Sequence, residues 1–122
     1  MILADTTIWI DHLNHGDLEF ERRLNNQEIV IHPFVAGELA LGPLPDRKKT
    51  LLYLDNLPRV RVAQQSEVRT MIEACALHNR GIGLIDAHLI AAVLLNPGTV
   101  LWTRDGKLRK IAIRLKMDAN LP

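Results

Sequence analysis

The sequence predicts an α/β fold in which a mainly parallel sheet of four or five short strands is flanked by helices on both faces. Short apolar runs of strand length recur at residues 2–4, 29–31, 60–63 and 100–103, with a weaker fifth at 117–121. Helical periodicity separates each run from the next, the alternation a parallel sheet demands, because each parallel strand must be reached by a crossover. No repeat, low-complexity tract or linker divides the 122 residues, so the chain reads as one domain over 1–122.

The first strand leads into a broken helical pair, 7–15 and 17–26, interrupted at Gly16. After the second strand, Pro33 suits a first helical position and opens a helix that carries Glu38 and ends near Gly42. Residues 46–56 are amphipathic, and Val68, Met71, Ile72, Cys75 and Ala76 recur at helical spacing over 65–79. Gly81 and Gly83 break that pattern before an apolar helix headed by Asp86, and Asn96-Pro97-Gly98 turns the chain into the strand at 100–103.

A content of 48% hydrophobic and 24% charged residues is an ordinary globular balance, and the single cysteine, Cys75, excludes a disulfide framework or a cysteine-rich zinc site. Residues 84–95 are too short to span a bilayer, and the start of the chain lacks a basic stretch followed by a long apolar one. A cytoplasmic protein without a membrane partner is expected. The formal net charge is only +1, yet the signs are segregated. Asp5, Asp11, Asp17, Glu19, Glu21, Glu28 and Glu38 make the first third acidic, whereas Arg104, Lys107, Arg109, Lys110, Arg114 and Lys116 crowd the end. A basic surface beside an acidic pocket suits a polyanion; a solvated amphipathic helix is the plainer reading of the same stretch.

Four acids stand out. Asp5 and Asp105 each follow an apolar strand, at the carboxyl edge where parallel sheets bind ligands. Asp86 heads a helix whose start opens onto the same edge, and Glu38 lies in the apolar stretch 34–41, where an unpaired charge is costly to bury. Singly, Asp5, Asp86 and Asp105 also suit helix N-caps, and Glu38 a salt bridge. Together they form a hard oxygen-donor set suited to Mg2+ or Mn2+, with which phosphodiester hydrolysis needs no side-chain nucleophile. His12 and His15 lie three apart without a matching cluster for a softer metal, and Trp9 and Trp102 fit core positions.

The segments Leu3-Ala4-Asp5-Thr6-Thr7-Ile8-Trp9-Ile10-Asp11, Gly37-Glu38-Leu39-Ala40-Leu41-Gly42, Gly83-Leu84-Ile85-Asp86-Ala87-His88-Leu89-Ile90-Ala91-Ala92 and Leu101-Trp102-Thr103-Arg104-Asp105 resemble the successive acidic motifs of PIN-domain nucleases. Order and spacing agree along essentially the whole chain, and the likeness is nearest to VapC-type toxins. The resemblance implies a PIN-like domain in which Asp5, Glu38, Asp86 and Asp105 are catalytic and metal-binding, with Thr6 and Thr103 as hydroxyl residues that orient them. It further implies a divalent-metal-dependent endoribonuclease that leaves a 5′-phosphate and a 3′-hydroxyl and is restrained by a small antitoxin. Arg80, Arg104 and Lys107 border Asp86 or Asp105 and are the expected RNA contacts.

For the antitoxin, Ile8, Trp9, Leu13, Leu18, Phe20, Leu51, Leu52, Tyr53 and Leu54 offer more apolar surface than so small a sheet needs, although a core or a homodimer would also absorb it. The alternatives are a free-standing RNA-processing nuclease and a noncatalytic RNA- or protein-binding module. A phosphotransfer domain fits less well, since Asp5-Thr6-Thr7 lacks a second acid and no lysine completes a receiver pocket.

Overall fold

A computed structural model describes residues 1–122. Its sheet is parallel, with strands β1 (Ile2–Ala4), β2 (Ile29–Val30) and β3 (Val100–Trp102) in the order β2-β1-β3. Leu3 lies opposite Val30 on one side and Leu101 on the other, so the first strand of the chain is the centre of the sheet. The fourth and fifth strands expected at 60–63 and 117–121 are present only as single parallel bridges, Ile31 to Arg59 and Leu101 to Asp118.

Competing hydrogen bonds account for the missing ladders. Ile31 donates to the Pro58 carbonyl at 2.9 Å, and Val60 donates back to Ile31 at 3.1 Å. Beyond them, the Asn96 side chain accepts from the Arg61 N–H at 3.0 Å and donates to the Arg61 carbonyl at 3.0 Å, occupying the groups a longer strand would need. On the opposite edge, Leu101 exchanges bonds with Met117 at 2.7 Å and Ala119 at 2.9 Å. There Asn120 turns the chain away at φ 57°, its N–H taken by the Asp118 carboxylate.

Seven helices surround the sheet: α1 (Thr6–His15), α2 (Leu18–Asn25), α3 (Pro33–Leu41), α4 (Arg47–Asp55), α5 (Gln65–Ala74), α6 (Leu84–Leu95) and α7 (Gly106–Arg114). Gly16, at φ 72°, makes the expected break between α1 and α2. The helix expected over 65–79 stops at Ala74, because Ala76 turns left-handed at φ 50° and Leu77 bonds back to Ile72 at 2.9 Å. α6 begins earlier than expected: Gly83 is its N-cap and Asp86 sits in its first turn. The basic segment is α7, which buries Leu108, Ile111 and Ala112 and exposes Lys107, Lys110 and Arg114.

Trp9 and Trp102 are buried. Their rings flank Phe20, with centroids at 4.7 and 5.7 Å, so one aromatic cluster joins α1, α2 and β3. α6 is buried from Ala87 to Val93 and is the central helix of the core. No helix is long and apolar enough to cross a membrane.

Asn96 also donates to the Ala92 carbonyl at 2.6 Å, so one amide ties the end of α6 to the 58–61 segment. Asn96→Ala is therefore expected to cost about 1–2 kcal/mol and lower Tm by roughly 4–8 °C. An unchanged melting curve would mean that the Ile31 pairing alone holds that segment.

Candidate active site

β1 ends at Ala4 and delivers Asp5 to the carboxyl edge of the sheet, where the Asp5 N–H still pairs with the Trp102 carbonyl at 3.0 Å. The Asp5 carboxylate is almost fully buried at 4% exposure. It caps α1 by accepting from the Ile8 N–H at 3.3 Å, and it also accepts from the hydroxyls of Thr7 and Thr103. The Thr103 hydroxyl in turn accepts from the Asp105 N–H at 3.0 Å. A single side chain thus sits between two of the four acids. Asp105 caps α7, with its Oδ1 accepting from Lys107 and Leu108 at 3.0 Å each.

Glu38 and Asp86 arrive from helices. Thr6 donates to Glu38 Oε1 at 2.7 Å, linking the start of α1 to α3. The other end of α3 is set by His32, whose Nδ1 accepts from the Phe34 N–H at 3.0 Å. Burial, with the charge of His88 adding to it, pushes the His32 pKa down to about 4, so the ring stays neutral and keeps that acceptor. Asp86 Oδ2 accepts from the Gly83 N–H at 3.2 Å, which aims the carboxylate back toward the sheet edge.

Burial raises the Asp5 pKa against the lowering pull of the Thr103, Thr7 and Ile8 hydrogen bonds. For Asp86 burial again leads, opposed by the Gly83 N–H and reinforced by the negative charges of Asp105, Asp5 and Glu38. The four acids therefore share one electrostatic field, and no Lys, Arg or His lies within ion-pair distance of any of them. The burial expected for Glu38 does not occur: Glu38 is exposed, while Val35 and Leu39 of the same helix face the core.

The donor set fits a hard divalent cation. All four groups are carboxylates, and no three of them close into a ready-made cage. Magnesium keeps several waters and takes one or two protein carboxylates, so oxygen donors of this kind are the type it prefers. His12 is occupied elsewhere, accepting from the Asp17 N–H at 3.2 Å and packing against Phe20.

The expected RNA contacts divide. Arg104 is turned away from the acids into ion pairs with Asp11 at 2.7 Å and Asp17 at 2.6 Å, and its guanidinium lies 5.7 Å from the Trp102 ring centre. It is a tie between the β3–α7 turn and the α1–α2 break. Arg80 and Lys107 are exposed beside that turn. Sequence reasoning missed Thr7, whose hydroxyl donates to Asp5 and accepts from the Arg104 N–H at 3.1 Å. The available signal was a hydroxyl residue two places after an N-cap aspartate.

The profile of the PIN domain matches residues 2–114 of this chain. Ribonuclease VapC32 of Mycobacterium tuberculosis, from strains CDC 1551 / Oshkosh and ATCC 25618 / H37Rv, is 40% identical over 109 residues, covering 89% of this chain and 88% of the relative in each case.

The carboxylate field has a sign that can be tested. Asp5 and Asp86 hold protons more tightly folded than unfolded, so their contribution to stability is present below the ordinary aspartate pKa of 3.8 and is lost as pH rises through their raised values. In chelator at pH 7–8, Asp86→Asn should therefore raise Tm by about 3 °C. Mg2+ or Mn2+ should raise the parent's Tm more at pH 8 than at pH 5, as differential scanning fluorimetry would record. A cation effect independent of pH would count against a shared carboxylate site.

Proposed function

Because this chain belongs to the PIN-domain family, we infer that it is an endoribonuclease of the VapC toxin type, and we propose that Asp5, Glu38, Asp86 and Asp105 carry its activity through a divalent cation. The observation that supports this assignment is that Asp86 bears the negative charges of Asp105, Asp5 and Glu38 and that no cationic side chain of the protein pairs with any of the four. Mg2+ is the preferred ion and Mn2+ an equally hard substitute. Such an ion, when bound, would supply Lewis acidity at the phosphodiester and neutralise charge on its oxygens.

The protein's own groups do the positioning. Thr103 holds Asp5 and receives the Asp105 N–H, Thr6 steadies Glu38, and the Gly83 N–H steers Asp86. The contacts to Asp5, Glu38 and Asp86, with the Lys107 and Leu108 N–H groups on Asp105, fix the carboxylate rotamers before substrate arrives, so little reorganisation is left for the reaction itself. No covalent intermediate is needed. Cys75 caps the end of α5, and His88 packs against Phe34 with a ring separation of 4.7 Å. The exposed rim favours unpaired RNA, whose phosphates and bases an A-form duplex presents less openly.

A small antitoxin is the proposed protein partner. A groove of about 470 Å³ between α1, α2 and α4 is lined by Trp9, Leu13, Leu24 and Tyr53 among others. Ile8, Trp9, Phe20 and Leu54 belong to the core, whereas Leu18, Leu52 and Tyr53 are exposed. An amphipathic helix laid on that surface could send a basic side chain into the carboxylates and compete with the cation.

Purified protein should cut single-stranded RNA with Mg2+ or Mn2+ and stop on chelation. Asp86→Asn and Asp105→Asn are expected to slow cleavage at least ~100-fold while retaining the fold. Thr103→Val should lose activity that Thr103→Ser recovers, as gel-based cleavage assays would measure. Cleavage by the aspartate variants at the parent's rate would refute the assignment.

Co-expression with a candidate antitoxin tests the partner surface. Tyr53→Asp should abolish co-purification of the two chains without reducing RNA cleavage. Retention of a full complex by that variant would move the antitoxin to another face.

A further inference from the structure

We propose that a basic groove beside the carboxylates holds the phosphates of the RNA strand that lies to one side of the cut bond, an assignment that rests on the ribonuclease reading and specifies how substrate is held. The groove, about 350 Å³, is lined by Asn79, Arg80, Lys107, Lys110, Ile111 and Arg114. Four of these six side chains are cationic and exposed, and none of the four is in an ion pair. Cations gathered on one concave surface repel each other, and a polyanion relieves that repulsion.

The groove is built rather than incidental. Arg80 donates through Nε to the Ala76 carbonyl at 3.2 Å, and Arg114 through Nη2 to the Cys75 carbonyl at 2.7 Å. Both guanidiniums are held by carbonyls just beyond α5, so they are oriented without losing their charge to a carboxylate. Lys107 lies across Gly81, where a methyl group would come within 2.8 Å of the lysine Cδ. Gly81 also stands at φ 77°, a conformation side chains rarely adopt, so the residue type there leaves room for the lysine stem.

Its direction follows from α7. Lys107, Lys110 and Arg114 are spaced three and four residues apart and share one helical face, which rises by about 10 Å from first to last. That length spans roughly two or three phosphates of a stacked strand. Asp105 caps the same helix, so the row of cations starts beside the carboxylates and leads outward. The acids act at one phosphodiester and the groove holds its neighbours by charge alone, a sequence-independent contact that sets register.

The experiment uses the full chain in chelator, where binding is read without cleavage. Fluorescence anisotropy of a labelled single-stranded RNA is measured from low to moderate salt for the parent, for Lys107→Gln/Lys110→Gln, and for Lys48→Gln/Lys49→Gln on α4 as a pair of equal charge change. The groove variant should bind on the order of tenfold more weakly at low salt, and its slope of log affinity against log salt should fall by about 1.4. Arg114→Lys should retain the parent's slope. An unchanged slope in the groove variant, or an equal fall in the α4 variant, would overturn the proposal. A parent that binds RNA through the groove yet never cuts it with Mg2+ or Mn2+ would uphold the groove and remove the nuclease reading.

Discussion

Repulsion among Asp5, Glu38, Asp86 and Asp105 is the constraint around which this small domain is arranged. Four carboxylates come from the end of β1, the middle of α3, the first turn of α6 and the turn after β3; the charges of Asp105, Asp5 and Glu38 raise the cost of ionising Asp86, and the surrounding groups restrain the four without cancelling their charge. Hydroxyls and backbone N–H groups fix where each points. No side chain of the protein pairs with any of the four, so their charge is left for a ligand from outside to neutralise.

The distribution of cations follows from that constraint. Arg104, adjacent in sequence to Asp105, is drawn away by Asp11 and Asp17 and stacks beside Trp102. Its charge strengthens the junction of α1 and α2 while leaving the four acids without a cationic partner. Lys107 and Lys110 follow within two helical turns, on the outer face of α7, where they flank the acids without joining them. Positive charge thus lines one face of α7, with the carboxylates at one end of it.

Much of this was legible from local patterns, and what was not depends on distant contacts. Asp5 and Asp105 are readable because an apolar strand followed by a helix places an acid at the sheet edge, where both cap the helix that follows. Asp86 was placed on the correct helix with the start misjudged, since Gly83 offers no side chain to announce a cap. Glu38 was located correctly for a mistaken reason: an almost wholly apolar helix gives no periodicity to show which face turns outward. The outer strands failed because Asn96 captures Arg61 across 35 residues, and the fate of Arg104 was hidden because Asp11 lies 93 residues away. A single sequence carries no local signature of such pairings.

The central strand of the sheet also has a temporal meaning. β1 is made long before its neighbour β3, and the hydroxyl that fixes Asp5 belongs to Thr103, 98 residues later. A growing chain can form α1 to α5 while its first strand still lacks that edge, and such long-range parallel pairing is slow to close. The Asp5–Thr103 contact cannot form until the segment carrying β3 and Thr103 has left the ribosome. The order of synthesis thus sets when the acidic edge of the sheet can assemble.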